Sequence, residues 1–164
     1  MSPELLGQLA DQHVAALMLY ARQWVPAPED IIQDAFMKLV AQKPTPDKPL
    51  PWLYRVVRNN ALSALRAARR RRRHESAAAS RLPAWFLPES LSTLDAESAT
   101  RALQSLPLEQ RETIVAHLWG GLTFEQIADL TGCSCSTAHR WYIAGLSALR
   151  ERLGVCPNPS PTEI

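Results

Sequence analysis

Apolar positions along the chain recur mainly at three- and four-residue steps, the spacing that gathers side chains on one face of a helix. Leu5, Leu9, Ala16, Leu17, Tyr20 and Trp24 trace a first helix over residues 4–24, and Pro26 and Pro28 break it. Ile32, Ala35, Phe36, Leu39 and Val40 mark the buried face of a second helix, roughly 29–42. The stretch PTPDKPLP, residues 44–51, has four prolines in eight positions and predicts an ordered or extended loop. A third helix runs from Trp52 into an arginine run, with Leu53, Val57, Ala61, Ala64 and Ala68 as its apolar stripe. Residues 76–93 lose the period: Ser-Ala repeats and two prolines predict a linker. Trp85, Phe86 and Leu87 sit inside it, and so bulky a cluster is expected to dock on something.

Helical spacing returns from about residue 95 to 153. Pro107 suits a helix's first turn, and Gly120 and Gly121 end that helix. Thr123 with Gln126 three residues on is a capping-box pattern that starts the next. Gly132 ends it, and Ser134 can cap a last helix that reaches Leu153 through Leu146 and Leu149. No two-residue period and no internal repeat is visible. The expected fold class is all-α: two small helical domains joined by a flexible linker, the C-terminal one a helix-turn-helix. The expected boundaries are 1–75, a linker at 76–94, a second domain at 95–154 and a frayed Pro-rich tail at 155–164.

The stretch LTFEQIADLTGCSCSTAHRW, residues 122–141, poses a choice between a metal site and the bend of a DNA-reading motif. A helix-turn-helix needs a small residue where its helices approach, a turn residue tolerant of a left-handed backbone, and small apolar plugs after it. Ala128 and Gly132 supply the first two; Cys133 and Cys135 fall at the plugs, and free cysteine behaves as a small hydrophobe. Ile127, Ala138 and Tyr142 complete the inner face. For a metal, Cys133, Cys135, His139 and Cys156 or His117 could serve, but Cys-x-Cys is not a typical zinc spacing and no second pair follows. The turn is the favoured reading, with no metal and no cofactor. Ser136, Thr137, His139, Arg140 and Ile143 then face outward, where hydroxyls and a guanidinium reach phosphates or base edges.

Charge sharpens the picture. The net charge of +2 over 164 residues hides an asymmetry. Residues 1–50 carry four basic and six acidic side chains, residues 51–75 carry eight arginines against Glu75 alone, and the rest carry six arginines against nine acids. One segment is built for a polyanion. On the third helix Trp52, Arg55, Asn59, Ser63, Arg66 and Arg70 form one stripe opposite the alanines, a set suited to phosphates and unpaired bases. Trp52 also has a plain alternative as a core residue. The hydrophobic fraction of 46% fits a globular chain, no apolar run approaches the roughly 20 residues of a membrane span, and no signal-peptide pattern opens the sequence. Three cysteines, an odd number, argue against a disulfide framework, so a cytoplasmic protein with reduced thiols is expected.

Three blocks occur in a fixed order: PEDIIQDAF, then PWLYRVVRNNALSALR with its arginines, then LPLEQRETIVAHLWGGLTFEQIADLTGCSCSTAHRWYIAGLSALRERL. In this the chain, over about residues 5–153, resembles the extracytoplasmic-function sigma factors of bacterial RNA polymerase, in the sigma-70 family. The resemblance implies that the second helix binds core polymerase, with Asp30, Gln33, Asp34 and Met37 as its exposed stripe. It implies that the third helix and the loop from Lys43 to Leu50 open the −10 promoter element and capture a base, with Arg55, Asn59 and Ser63 at the polar positions. It assigns the −35 element to the helix-turn-helix and allows an anti-sigma partner. One departure stands out: Trp141, Ile143, Ala144 and Leu146 take positions where the family often has basic residues. A weak salt-dependent term at the −35 element is expected. The resemblance implies a promoter-selecting factor that performs no chemistry of its own. Two other classes compete with it: a stand-alone helix-turn-helix regulator, and a recombinase or nuclease with a helix-turn-helix arm. The first has no reason to carry both polar stripes; the second needs clustered carboxylates or a nucleophile set.

Overall fold

Ser2 accepts a hydrogen bond from the Leu5 amide and starts helix α1, Pro3–Ala21, in a computed structural model that describes residues 2–74 and 94–154. Helix α2, Glu29–Ala41, opens with Glu29 and Asp30 at its positive end and carries Lys38 in its last turn, both favourable against the helix dipole. Helix α3, Pro49–His74, starts three residues before the expected Trp52. Prolines are tolerated in a first turn because their missing N–H has no intrahelical partner there. The second half holds α4, Leu94–Gln104, and α5, Leu108–Ile114, which continues as a wide π-helical turn, Val115–Trp119. Helices α6, Phe124–Thr131, and α7, Cys135–Arg152, follow. No strand occurs among the described residues. None of the described helices is long and apolar enough to cross a membrane. The linker with Trp85, Phe86 and Leu87, and the tail beyond 154, lie outside the described residues.

The expected punctuation is present at atomic detail. Thr123 and Gln126 form the reciprocal capping box, Thr123 Oγ1 accepting from the Gln126 amide at 3.3 Å and Gln126 Oε1 accepting from the Thr123 amide at 2.9 Å. Gly132 ends α6 with φ 77°, a left-handed conformation that costs any residue with a Cβ. Ser134 caps α7 through the Thr137 amide at 3.1 Å. Pro107 sits one residue earlier than expected, as the N-cap before Leu108.

Leu53, Tyr54, Val57 and Ala61 turn one face of α3 inward against Leu17, Tyr20 and Trp24 of α1 and Ile32, Ala35 and Leu39 of α2. Val40, expected on the buried face of α2, is 56% exposed, and Phe36 is half-buried. The two halves do not merely sit on a tether. Val115, Ala116, Leu122, Ile127 and Leu130 of the second half join the same continuous core as α1 and α3. Gly120 makes this approach close: a Cβ there would lie 2.5 Å from the Tyr54 hydroxyl.

Candidate nucleic-acid interface

Burial of Leu53, Val57 and Ala61 leaves the opposite face of α3 to solvent. Arg55, Asn59, Ser63, Arg66 and Arg70 are all exposed there, and Arg69, Arg71, Arg72 and Arg73 extend the charge to the helix end. Trp52 is intermediate in exposure and packs against the core. Trp52, Arg55 and Lys48 form one wall of a concavity of about 210 Å³ whose other wall is Gln126, Asp129 and Leu130 of α6.

The outward face of α7 frames a second, shallow concavity of about 640 Å³. Cys135, Ser136, Thr137, His139 and Arg140 line it with Phe124 of α6. The cap orders this edge: Ser134 and Thr137 hydroxyls lie 2.8 Å apart, and Arg140 Nη2 donates to Thr137 Oγ1 at 3.4 Å. Ile143 is 52% exposed one turn further on. Cys133 plugs the space between α6 and α7 as expected, half-buried against the core with its Sγ 3.2 Å from Thr131 Oγ1. Cys135 does not. It is exposed, because as the first residue after the Ser134 cap it starts the outer face of α7.

Two supports of this face were not legible in the sequence. His117, considered there only as a metal ligand, donates from Nδ1 to the Leu122 carbonyl at 2.7 Å and so closes the Gly120–Gly121 turn. Its ring stacks on Phe124 at 4.4 Å and meets the edge of Tyr142 at 4.9 Å, while Phe124 meets His139 edge-on at 5.1 Å. These rings tie α5, α6 and α7 together and set the angle of α7; offset and edge-on ring pairs add roughly 1 kcal/mol each beyond area burial. No sequence period links residues from three helices.

The third patch lies on α2. Asp30, Gln33 and Met37 are exposed, Met37 at 65%, but Asp34 is only half-free. Its carboxylate accepts from Lys38 Nζ at 2.7 Å and from Asn60 Nδ2 of α3 at 2.8 Å. The Lys38 bond is the main cause of the lowered Asp34 pKa; slight burial opposes it, and the Lys38 charge and Asn60 add to the drop. Beside the polar stripe Met37, Val40, Phe36 and Leu6 form an almost wholly apolar groove of about 360 Å³ with Gln33 at its edge.

Residues 9–71 match the family model for Sigma-70 region 2, and residues 96–149 match that for Sigma-70, region 4. The chain is 32% identical over 129 residues to the RNA polymerase sigma factor CarQ of Myxococcus xanthus, covering 77% of this chain and 74% of that one. It is 28% identical over 149 residues to the probable RNA polymerase sigma factor RfaY of Xanthomonas campestris pv. campestris, covering 85% of this chain and 37% of that one. A solved structure, the sigma factor RpoE in complex with the anti-sigma factor NepR from Bartonella quintana, shares the fold with a TM-score of 0.73 at 24% identity, over 95% of this chain and 100% of that one.

Proposed function

This chain belongs to the sigma-70 family of RNA polymerase sigma factors, and on that premise we propose how its surfaces divide the work of starting transcription. Residues 1–75 form the part that grips core polymerase and opens the −10 element, and residues 95–154 the part that reads the −35 element. Asp30, Gln33 and Met37 meet the polymerase, and the groove through Leu6, Phe36 and Val40 adds apolar area to the contact. An acidic and amide stripe suits a basic partner, and exposed apolar side chains beside it supply the burial a stable contact needs. Asp34 contributes chiefly by bridging α2 to α3, through Asn60. Trp52, Arg55, Asn59, Ser63, Arg66 and Arg70 take the separated strand, cations on phosphates and the ring edge against a base. Ser136, Thr137, His139, Arg140 and Ile143 enter the major groove of intact duplex. The chain supplies binding and strand separation, performs no bond chemistry itself, and acts in the cytoplasm, where its polymerase is. The small two-part architecture and the RpoE neighbour, solved with an anti-sigma factor, support the extracytoplasmic-function type and an anti-sigma partner for this chain as well.

The observation that carries this reading is the segregation on α3: apolar residues inward, and Arg55, Asn59, Ser63, Arg66 and Arg70 outward on one exposed face. The test is capture of core polymerase by the purified chain, followed by run-off transcription on fragmented genomic DNA. Capture and promoter-specific transcripts are expected. A chain that neither binds core polymerase nor starts transcripts overturns the proposal.

A further inference from the structure

Ala138 and Gly145 are the buried positions of α7 and define its inner face. At Gly145 the packing on α5 is close: a Cβ there would lie 2.6 Å from Ile114 Cδ1. With about 3.6 residues per turn, Ser136, Arg140, Ile143 and Ser147 fall on the opposite side, and all four are exposed. The two ends of this stripe differ in chemistry. Ser136 and Arg140 make its first part polar, and Arg140 Nη2 donates to Thr137 Oγ1 at 3.4 Å, which steadies the guanidinium. Beyond them Ile143 is 52% exposed, with the exposed Ala144 beside it. Between Cys135 and Leu149 the chain has no lysine and no arginine other than Arg140.

A large apolar side chain on a face that enters the major groove needs an apolar partner there. The groove edges of adenine, guanine and cytosine offer hydrogen-bonding groups, whereas thymine adds a C5-methyl group. Ile143 set over a donor or acceptor strips it of water and returns no hydrogen bond, which costs affinity. Set over a thymine methyl, it buries two apolar surfaces together. Arg140 has the reverse preference, since guanine O6 and N7 accept from a guanidinium. Three residues of helix advance about 4.5 Å, and base pairs are spaced about 3.4 Å apart. The polar and the apolar contact therefore fall on neighbouring base pairs.

We infer that Ile143, with Ala144 beside it, sets the sequence that α7 reads by contacting a thymine methyl group, at a T·A pair within about two base pairs of a guanine held by Arg140. This rests on the reading proposed above, in which α7 enters intact duplex. The group recognised is a single methyl. Deoxyuridine pairs as thymine does and lacks only that carbon, so α7 reads it as a wrong base. The contact carries no charge, so discrimination between thymine and uracil holds as salt rises while total affinity falls. A protein surface is the other partner an exposed isoleucine can take, but the hydroxyl of Ser136 and the guanidinium of Arg140 on the same stripe match the polar edges of a groove.

The test uses the full chain with core polymerase on double-stranded templates that carry a randomised upstream block. Templates that yield run-off transcripts are recovered and sequenced, and Ile143→Ala and Ile143→Val are carried through the same selection. The natural chain is expected to enrich a T·A pair beside a G·C pair in the upstream element, Ile143→Val to keep that T·A pair and Ile143→Ala to lose it. Deoxyuridine is then placed at the enriched thymine and binding is measured by fluorescence anisotropy. The natural chain is expected to bind the uracil duplex about fourfold more weakly, the effect of burying one methyl group. For Ile143→Ala the ratio is expected to fall to about one. A fold defect lowers affinity for both duplexes and leaves their ratio alone, so the ratio isolates the methyl contact. An upstream element without the T·A pair, or equal binding of thymine and uracil duplexes by the natural chain, overturns the inference and leaves the sigma-factor reading standing. Ile143→Ala that loses capture of core polymerase with an unchanged thymine-to-uracil ratio also overturns it and makes Ile143 a polymerase contact. If the natural chain starts no transcripts on any template, the sigma-factor reading falls and takes this inference with it.

Discussion

Glu112 shows how much can rest on one side chain. Removing it strands the half-buried Arg58 guanidinium and the buried Tyr20 phenol, so Glu112→Ala is expected to lower unfolding free energy by about 2 kcal/mol, and Glu112→Gln, which keeps an acceptor, by about 1 kcal/mol. Urea titration followed by circular dichroism measures both. Tyr20 ionises far above the ordinary phenol range, first because it is buried and then because Glu112's charge and hydrogen bond favour the neutral form. Tyr54 is raised too, by burial. Both tyrosines keep their protons in the folded state at a pH where the unfolded chain loses them. Their contribution to stability is therefore complete below about pH 10 and falls as pH rises above it, by up to roughly 1.4 kcal/mol per pH unit for each. Tyr20→Phe is expected to flatten that alkaline slope by about half in a pH series of melting temperatures. The Tyr54 hydroxyl is buried and unpartnered, so Tyr54→Phe is expected to be neutral or to stabilise by about 1 kcal/mol.

At the scale of elements, local chemistry decides where helices begin and end. Gly132 adopts φ 77°, so Gly132→Ala is expected to cost roughly 1 kcal/mol, measured by thermal unfolding. Thr123, Gln126, Gly132 and Ser134 could be read directly from the sequence because caps act within three residues of themselves. The helix α2 face could be read only in part. Its polar stripe was legible, but Val40, assigned to the core by spacing, faces the apolar groove with Met37. Spacing gives which residues share a face and not which part of that face a neighbouring helix covers. The Asn60 bond to Asp34 likewise changes which variant isolates polymerase binding. Met37→Lys, at a site 65% exposed, is expected to weaken capture of core polymerase at least tenfold with unchanged helix content. An unaltered affinity in a pull-down titration would remove α2 from the contact.

For the whole molecule the arginine helix sets the response to salt. Arg66→Ala with Arg70→Ala is expected to reduce the slope of log affinity against log salt for a single-stranded oligonucleotide by about 1.4, since each phosphate contact on single strands contributes roughly 0.7. Arg140→Ala is expected to weaken duplex binding at the −35 element with a smaller change in slope, because α7 presents few cations. The two halves are each held by their own helix contacts, and they also share one core through Val115, Ala116, Leu122 and Leu130. Two independent modules on a tether is the picture that composition suggests; a seam sealed by a buried carboxylate is what the fold adds.

The sequence by itself determined the helices, their caps, the bend at Gly132 and the polar stripe of α3, because each depends on residues within one or two turns of one another. Tertiary structure alone decided that His117 and Phe124 brace α7, that Cys135 is exposed while Cys133 is half-buried, and that Glu112 reaches Tyr20 and Arg58. Tyr20 and Glu112 stand 92 positions apart, and Arg58 and Glu112 stand 54 apart. No local period carries information over such a distance: whether a lone glutamate on an apolar helix face meets water or a guanidinium is settled only when two helical surfaces compete to exclude the same solvent.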